Sequence, residues 1–292
     1  MRIGIHTSIS GALAKAAERA AGLRANTFQI FSTSPRMWRA STPDPGQIKL
    51  LRRARERHDL NPLAVHDNYL INLASLDPLI RERSVGAFRS EIERAIAIGA
   101  EYLVAHPGNY RGQTLEEGII AVVSGIAEAT RGIRSRGCMI LLENTAGSGC
   151  QIGSRLEELA VIRQLCASQT DFPIGYCLDT AHCIASGYDI ATPEGLRKTV
   201  STANAILGLD NVPVIHTNDS KVPLNSRVDR HQHIGEGYIG LEGFRRILAH
   251  PKLRKKAFIL ETPIDKEGDD RRNIETLKNL CRKSSTTIKK SS

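Results

Sequence analysis

The chain has 292 residues, 41% hydrophobic and 24% charged, the balance of a soluble globular protein long enough to bury one large core. It has no run approaching the roughly 18 apolar residues of a membrane span, and its opening MRIGIHTSIS carries no apolar signal core. Lys plus Arg number 40 against 31 Asp plus Glu, and a formal charge of +9 favours polyanions such as nucleic acid, although the tail CRKSSTTIKKSS holds part of the excess.

Short apolar or β-branched runs recur along the chain: RIGIH, TFQIF, PLAVH, YLVAH, MILLEN, IGYCLD, PVIHTN and AFILET. Segments of helical character lie between them, such as 84–99 and 115–136. In 84–99, Val85, Phe88, Ile92, Ala95 and Ile96 recur at spacings of three and four, one face of a helix. Ser154 and Glu157 in GSRLEEL form the pattern of a capping box opening another helix. Eight strands alternating with helices predict an α/β fold with a parallel sheet, most economically closed as a TIM (β/α)8 barrel. An open doubly wound sheet is the alternative. We expect a single domain over 1–282 and a basic, disordered tail over 283–292. The six cysteines show no CxxC pair and read as reduced thiols of a cytosolic protein.

Most of these runs end in a residue able to bind metal: His6, His66, His106, Glu143, Asp179, His216 and Glu261. In a barrel, all of them reach the C-terminal rim, where active sites are built. Without cations such a cluster is costly, because like carboxylates repel and buried charge is expensive. Two loops add to it. His182 follows Asp179 by three and shares its face if the chain turns into a helix there. In VDRHQH, Asp229 and His231 point the same way from an extended segment, and Arg230 points opposite. Leaving His6 aside, five His and four carboxylates without thiolate suit zinc, and manganese or iron less exclusively. Nine ligands suit three ions with three protein ligands each. Three divalent ions outweigh four carboxylates, and the surplus positive charge favours an anion such as phosphate. The residues alone point to metal-assisted phosphoester hydrolysis. A metal-dependent sugar isomerase or epimerase on the same barrel stays open, as does a non-catalytic binder of damaged DNA.

The segments HDNYLINLAS, AHPGNY, ENTAGSG, CLDTAHCIASGYD, HTNDSK, SRVDRHQHIGEG and ILET, in this order, resemble the endonuclease IV family of apurinic/apyrimidinic endonucleases. The resemblance implies a TIM barrel with three zinc ions. It implies a DNA repair hydrolase that cleaves the phosphodiester 5′ to an abasic site, leaving a 3′-hydroxyl and a 5′-deoxyribose phosphate, and that clears blocked 3′ ends. Its partner is double-stranded DNA carrying such lesions. Carried onto this chain, one zinc falls to His66, His106 and Glu143. A second falls to Glu143, Asp179, His216 and Glu261, with Glu143 bridging. The third falls to His182, Asp229 and His231. Glu143 and Glu261 act in catalysis with a metal-bound hydroxide, and Cys183 is a packing residue. The family bends DNA and flips the abasic nucleotide, which is cheapest where a base is already missing. The resemblance puts Arg36, in SPRMWRA, and Tyr69 in the inserting roles at the DNA. Ser34 and Met37 depart from the family's pattern in the first of these loops.

Other residues carry weaker expectations. Gly147 and Gly149 suit either a turn or a close approach to phosphate. Arg227 and Arg230 suit phosphate contacts or surface pairs. His6, His233 and Glu236 are expected as partners behind the ligands. His58 and His250 read as surface residues and Trp38 as packing. The protein is expected to be a monomer in the cytoplasm, nucleoid-associated if bacterial, with no membrane partner.

Overall fold

A computed structural model describes residues 1–38 and 42–288, with side chains through Cys281. Its elements run β1 Arg2–His6, α1 Leu13–Gly22, β2 Thr27–Phe31, α2 Pro45–His58, β3 Leu63–His66, α3 Pro78–Ile98, β4 Tyr102–Ala105 and α4 Leu115–Thr130. They continue β5 Met139–Glu143, α5 Leu156–Cys166, β6 Ile174–Asp179, α6 Thr180–Ser186, α7 Pro193–Ile206, β7 Val214–His216, β8 Asp219–Ser220 and β9 His231–Gln232. The chain closes with α8 Gly240–Ala249, β10 Ala257–Leu260 and α9 Asp269–Ile288. Strands β1 to β7 and β10 form one closed parallel barrel, with β1 pairing both β2 and β10. The doubly wound alternative is thereby excluded. The short antiparallel pair β8–β9 stands apart from the barrel.

Alternation along the strands divides the apolar residues between two cores. Ala64, Val104, Leu141, Cys177, Val214, Ala257 and Ile259 fill the barrel. The other parity, including Ile3, Phe28, Leu63, Ile140, Ile215 and Phe258, packs against the helices. The barrel is tight at Gly4, where a Cβ would come within 1.8 Å of the Thr27 carbonyl oxygen.

The helix boundaries depart from the predicted ones for local reasons. Helix α3 starts at Pro78, earlier than 84, because Asp77 caps it by accepting from Leu79 N and Ile80 N and Pro78 opens it. Its first turn escapes a periodicity reading because Leu79 and Ile80 stay exposed. Helix α4 stops at Thr130, short of 136, where the chain leaves helical geometry at Arg131 and Gly132 takes φ +74. The predicted Ser154–Glu157 capping box does not form. Helix α5 has Arg155 at its N-cap, without a side-chain hydrogen bond. The Ser154 hydroxyl accepts instead from Arg227, and Glu158 accepts from Gly153 N. The capping box lies at Thr114–Glu117, opening α4. Helix α9 carries its backbone through 283–288, the first part of the segment expected to be a disordered tail, and 289–292 lie outside the described residues. Among the described residues, no helix is long and apolar enough to cross a membrane.

Candidate metal centre

The period of two that fills the barrel also builds its upper layer. Six of the seven inward core residues are followed two positions later by a polar one: Ala64 by His66, Val104 by His106, Leu141 by Glu143, Cys177 by Asp179, Val214 by His216 and Ile259 by Glu261. His106 and Glu261 sit one residue past their strands. His66, His106, Glu143 and Glu261 line one cavity of about 310 Å³, together with His182 from α6 and Asp229 and His231 from the segment running into β9; Asp179 and His216 lie beneath them, fully buried.

Glu143 is the centre of the arrangement. Its Oε2 lies 3.3 Å from His66 Nε2 and 3.2 Å from His106 Nε2, and its Oε1 lies 3.0 Å from His216 Nδ1. One carboxylate thus faces two groups of ligands, as a bridging residue must. Glu261 Oε2 lies 3.2 Å from His216 Nδ1. The ligand atoms of His66, His106 and Glu143 come within 4.8 Å of one another, as do those of Glu143, Asp179, His216 and Glu261. A third such group joins Asp179, His182 and His231. Asp229 adjoins this group, with 3.2 Å to His182 Nε2 and 3.6 Å to His231 Nε2.

The ring tautomers can be read from partners that only accept. His66 Nδ1 donates to the Asp67 carbonyl at 2.9 Å, and His182 Nδ1 to the Asn144 carbonyl at 2.9 Å. His231 Nδ1 donates to the Glu261 carbonyl at 3.1 Å, and His216 Nε2 to Gln29 Oε1 at 2.9 Å. In each ring the other nitrogen faces the cavity and supplies its lone pair once the ring is neutral. Among the described residues, the buried Nε2 atoms of His182 and His231 find no well-aligned hydrogen-bond partner, the Asp229 carboxylate lying nearest at 3.2 and 3.6 Å. Buried, unpartnered imidazole nitrogens among carboxylates fit a divalent cation, and the donor set is nitrogen and oxygen only.

The electrostatics agree. Burial opposes charge on the histidines, but facing groups outweigh it and hold three rings well above 6.5: Asp67 and Glu143 act on His66, Asp179 and Asp229 on His182, and Cys177 and Glu143 on His216. Burial likewise opposes charge on Glu143, which His216 and His106 nevertheless hold well below its usual value. Asp229, lifted by burial and lowered more by His182, falls to about 2. The cluster therefore stores protons on its rings where a metal would supply the positive charge. Burial pushes the Cys183 thiol up to about 12, consistent with a packing role.

Several positioning residues escape a reading of the sequence. Gln29, inward on β2, donates to Glu261 Oε1 at 2.5 Å as well as accepting from His216. Asn144 Oδ1 accepts from Asp179 N at 2.7 Å, and Asn218 Nδ2 donates to Asp179 Oδ2 at 2.6 Å. Asp179 also caps α6 by accepting from His182 N at 2.8 Å. A lone polar residue at an inward position of TFQIF is the one signal that could have exposed Gln29.

The loops place the remaining candidates. Tyr69 N donates to the Pro35 carbonyl at 3.1 Å, which brings the Arg36 and Tyr69 loops together at the mouth of the cavity. Tyr69 is 69% exposed with one ring edge against Phe31, and Arg36, Ser34 and Met37 are exposed nearby. Trp38 packs against the core. Asn225 N and Arg227 N donate to the Ile184 and Ala185 carbonyls, tying the Asp229 loop to the end of α6. Gly147 has φ +79, and a Cβ there would meet Arg227 Nη1 at 2.8 Å, so its glycine serves this loop contact; Gly149 has φ +59 and faces open space. Arg230 is exposed and folds back onto the Asp229 carbonyl. His6 lines the same cavity beside Glu261, 3.8 Å from Oε1, and shares Gln29 Nε2 with it. His233 and Glu236 do not reach the ligand cluster: His233 faces Asp265 and Asp269, and Glu236 pairs with Arg272. His58 is exposed and His250 half-buried.

The family described as Xylose isomerase-like TIM barrel matches residues 16–282. The chain is 62% identical over 281 residues to a "Probable endonuclease 4" of Solibacter usitatus, covering 96% of this chain and 97% of that one. The solved endonuclease IV of Thermus thermophilus superposes with a TM-score of 0.86 at 38% identity, covering 97% of this chain and 100% of that one. A D-tagatose 3-epimerase-like protein shares the fold, with a TM-score of 0.72 at 20% identity over 99% of this chain and 100% of that one. With a rim of histidines and carboxylates on a closed barrel and a relative of 62% identity along almost its whole length, the chain belongs to the endonuclease IV family.

Proposed function

We propose that this protein hydrolyses the DNA phosphodiester 5′ to abasic sites, leaving a 3′-hydroxyl and a 5′-deoxyribose phosphate, and removes 3′-blocking groups, using three zinc ions. Its family makes it a DNA-cleaving hydrolase; the finer reading rests on the site. The observation that carries it is the convergence of His66, His106, Glu143, Asp179, His182, His216, Asp229, His231 and Glu261 on one pocket whose mouth holds Tyr69 and Arg36.

In this reading the first ion is held by His66, His106 and Glu143. The second is held by Glu143, Asp179, His216 and Glu261, and the third by His182, Asp229 and His231. Bound there, divalent ions polarise phosphoryl oxygens and lower the pKa of water. The chain's own groups do the rest. Glu143 spans the two inner ligand groups, and Glu261 is held in place by Gln29. Tyr69 and Arg36 insert beside the lesion, where an empty site lowers the cost of unstacking. The protein acts as a cytoplasmic monomer on double-stranded DNA.

Two measurements on one preparation test this. A duplex with a single tetrahydrofuran abasic analogue should be cut on its 5′ side by metal-loaded protein, and the intact duplex should not. Elemental analysis should find three zinc ions per chain. Absence of incision overturns the reading, and one or two ions with no effect of Asp229→Asn would favour a sugar isomerase.

A further inference from the structure

The first turns of α9 contain a side chain that the mechanism leaves unused. Asn273 is 1% exposed and spends its hydrogen-bonding groups on two loops. Its Oδ1 accepts from Ile234 N at 2.9 Å. Its Nδ2 donates to His233 Nδ1 at 3.0 Å and to Thr262 Oγ1 at 3.0 Å. One loop carries His231 and the other Glu261. The two meet where the Glu261 carbonyl accepts from His231 Nδ1 at 3.1 Å. That contact puts the ring proton on Nδ1 and leaves Nε2 bare, buried and 3.6 Å from Asp229.

The same network decides what His233 is. Its ring nitrogen lies within 4.8 Å of carboxylate oxygens from Asp265 and Asp269, a grouping that could hold a cation. The orientation of Asn273 is fixed by Ile234 N–H, so the amide presents a donor to His233 Nδ1. The neutral ring then carries its proton on Nε2 and donates it toward Asp265, 3.3 Å away. His233 offers these carboxylates a proton, not a lone pair, and works as a hydrogen-bonded strut.

We infer that Asn273 is a positioning residue: by clasping the His233–Ile234 and Thr262 segments together, it keeps the Glu261 carbonyl against His231 Nδ1 and so sets the tautomer and aim of the His231 ring. The consequence for metal binding rests on the proposed ligand role of His231; the tautomer does not. Partners that orient a metal-ligating histidine are worth about 10–100-fold in affinity or activity.

The test uses the full chain with Asn273→Ala, Thr262→Val and Thr262→Ser, folding being checked by circular dichroism. Thr262→Val removes the hydroxyl at nearly constant volume, and Thr262→Ser restores it. In metal-stripped, ¹⁵N-histidine-labelled protein, wild type and Thr262→Ser should show a protected Nδ1–H resonance for His231. Asn273→Ala and Thr262→Val should lose it to solvent exchange. In zinc competition against a chelator, the same two variants should hold one ion about 10–100-fold more weakly, with Thr262→Ser matching wild type. A merely structural role would lower Tm but leave the resonance and the zinc affinity of the folded variants unchanged, and that result overturns the inference. Should Asn273→Ala not fold, the Thr262 pair decides. Should wild type hold fewer than three ions, the three-zinc reading falls while the His231 resonance still decides the positioning claim.

Discussion

Loading the stripped protein with zinc should release protons, and the number follows from the site. His66, His182 and His216 sit well above 6.5 in the metal-free protein, because the groups facing them, carboxylates and for His216 also Cys177, outweigh burial. The raised values favour the protonated form of these rings at pH 7, and each must lose any proton it carries before it can bind metal. Asp229 and Glu143 have none to give: Asp229 titrates at about 2 and Glu143 lies well below 4.5. Zinc binding at pH 7 should therefore release about one to three protons per chain, and the summed log K should rise with pH accordingly. Calorimetric titration in two buffers of different ionisation enthalpy measures this directly. Release of fewer than one proton would refute the electrostatic account. The same shifts set the stability of the metal-free fold. Histidines raised above their unfolded value of 6.5 contribute fully below it, and the contribution is lost as pH rises through the raised values. Carboxylates lowered from 3.8 and 4.5 contribute above those values, and the contribution is lost as pH falls, for Asp229 toward about 2. The metal-free Tm should peak between roughly pH 4.5 and 6.5 and decline above, a decline that zinc should abolish.

Three further perturbations separate positioning, insertion and scaffold. Gln29→Leu removes the partner of His216 Nε2 and Glu261 Oε1 at similar volume; zinc affinity by chelator competition should fall about 10–100-fold, and an unchanged value would show that Gln29 orients nothing. Tyr69→Ala and Arg36→Ala remove exposed groups at the mouth, so Tm should hardly move; binding to an abasic duplex should weaken by about 1–3 kcal/mol while binding to intact duplex changes little, the scale of a lost stacking contact. Equal losses on both duplexes would point to general affinity. Glu91 and Arg94 form a buried pair at 2.7 Å that also holds the Ser32 hydroxyl at the base of the Arg36 loop. Glu91→Gln strands the guanidinium and should cost roughly 3–5 kcal/mol in urea unfolding; a loss under 1 kcal/mol would mean that Arg94 finds water or another partner.

The barrel and the six strand-borne residues of the cluster were legible because both follow from an alternation that a strand cannot hide. Ala64 and His66, or Ile259 and Glu261, must share a face whatever surrounds them, so a chemically unusual residue after an apolar one marks the rim. What stayed illegible depends on partners far off in sequence. Gln29 acts through His216 and Glu261, and nothing near TFQIF announces them. Ser154 carried the local pattern of a capping box, yet its hydroxyl went to Arg227 from another loop. His233 follows His231 by two in DRHQH and was expected behind the ligands, but period two does not persist past β9, and the chain turns its ring toward α9.

That difference in legibility follows a difference in construction. His66, His106, Glu143, Asp179, His216 and Glu261 stand on or just past barrel strands, and their spacing is that of the barrel itself. His182 stands on the short helix α6, and Asp229 and His231 on a loop that borrows its rigidity. The borrowing is visible in the Asn225 and Arg227 amides on α6, the Ser148 hydroxyl on the Arg227 carbonyl, the Glu261 carbonyl on His231 and Asn273 beyond it. The strand-borne candidate ligands stand on a frame that this chain shares, as a fold, with an epimerase-like barrel at 20% identity. In the proposed three-ion site, the loop-borne ones turn that frame toward a third cation and a larger anionic substrate. Their geometry hangs on a handful of hydrogen bonds, so substitutions that spare the fold should change the outer site before the inner one. Weakening the loop contacts should accordingly cost the outer ion while the two beside Glu143 remain.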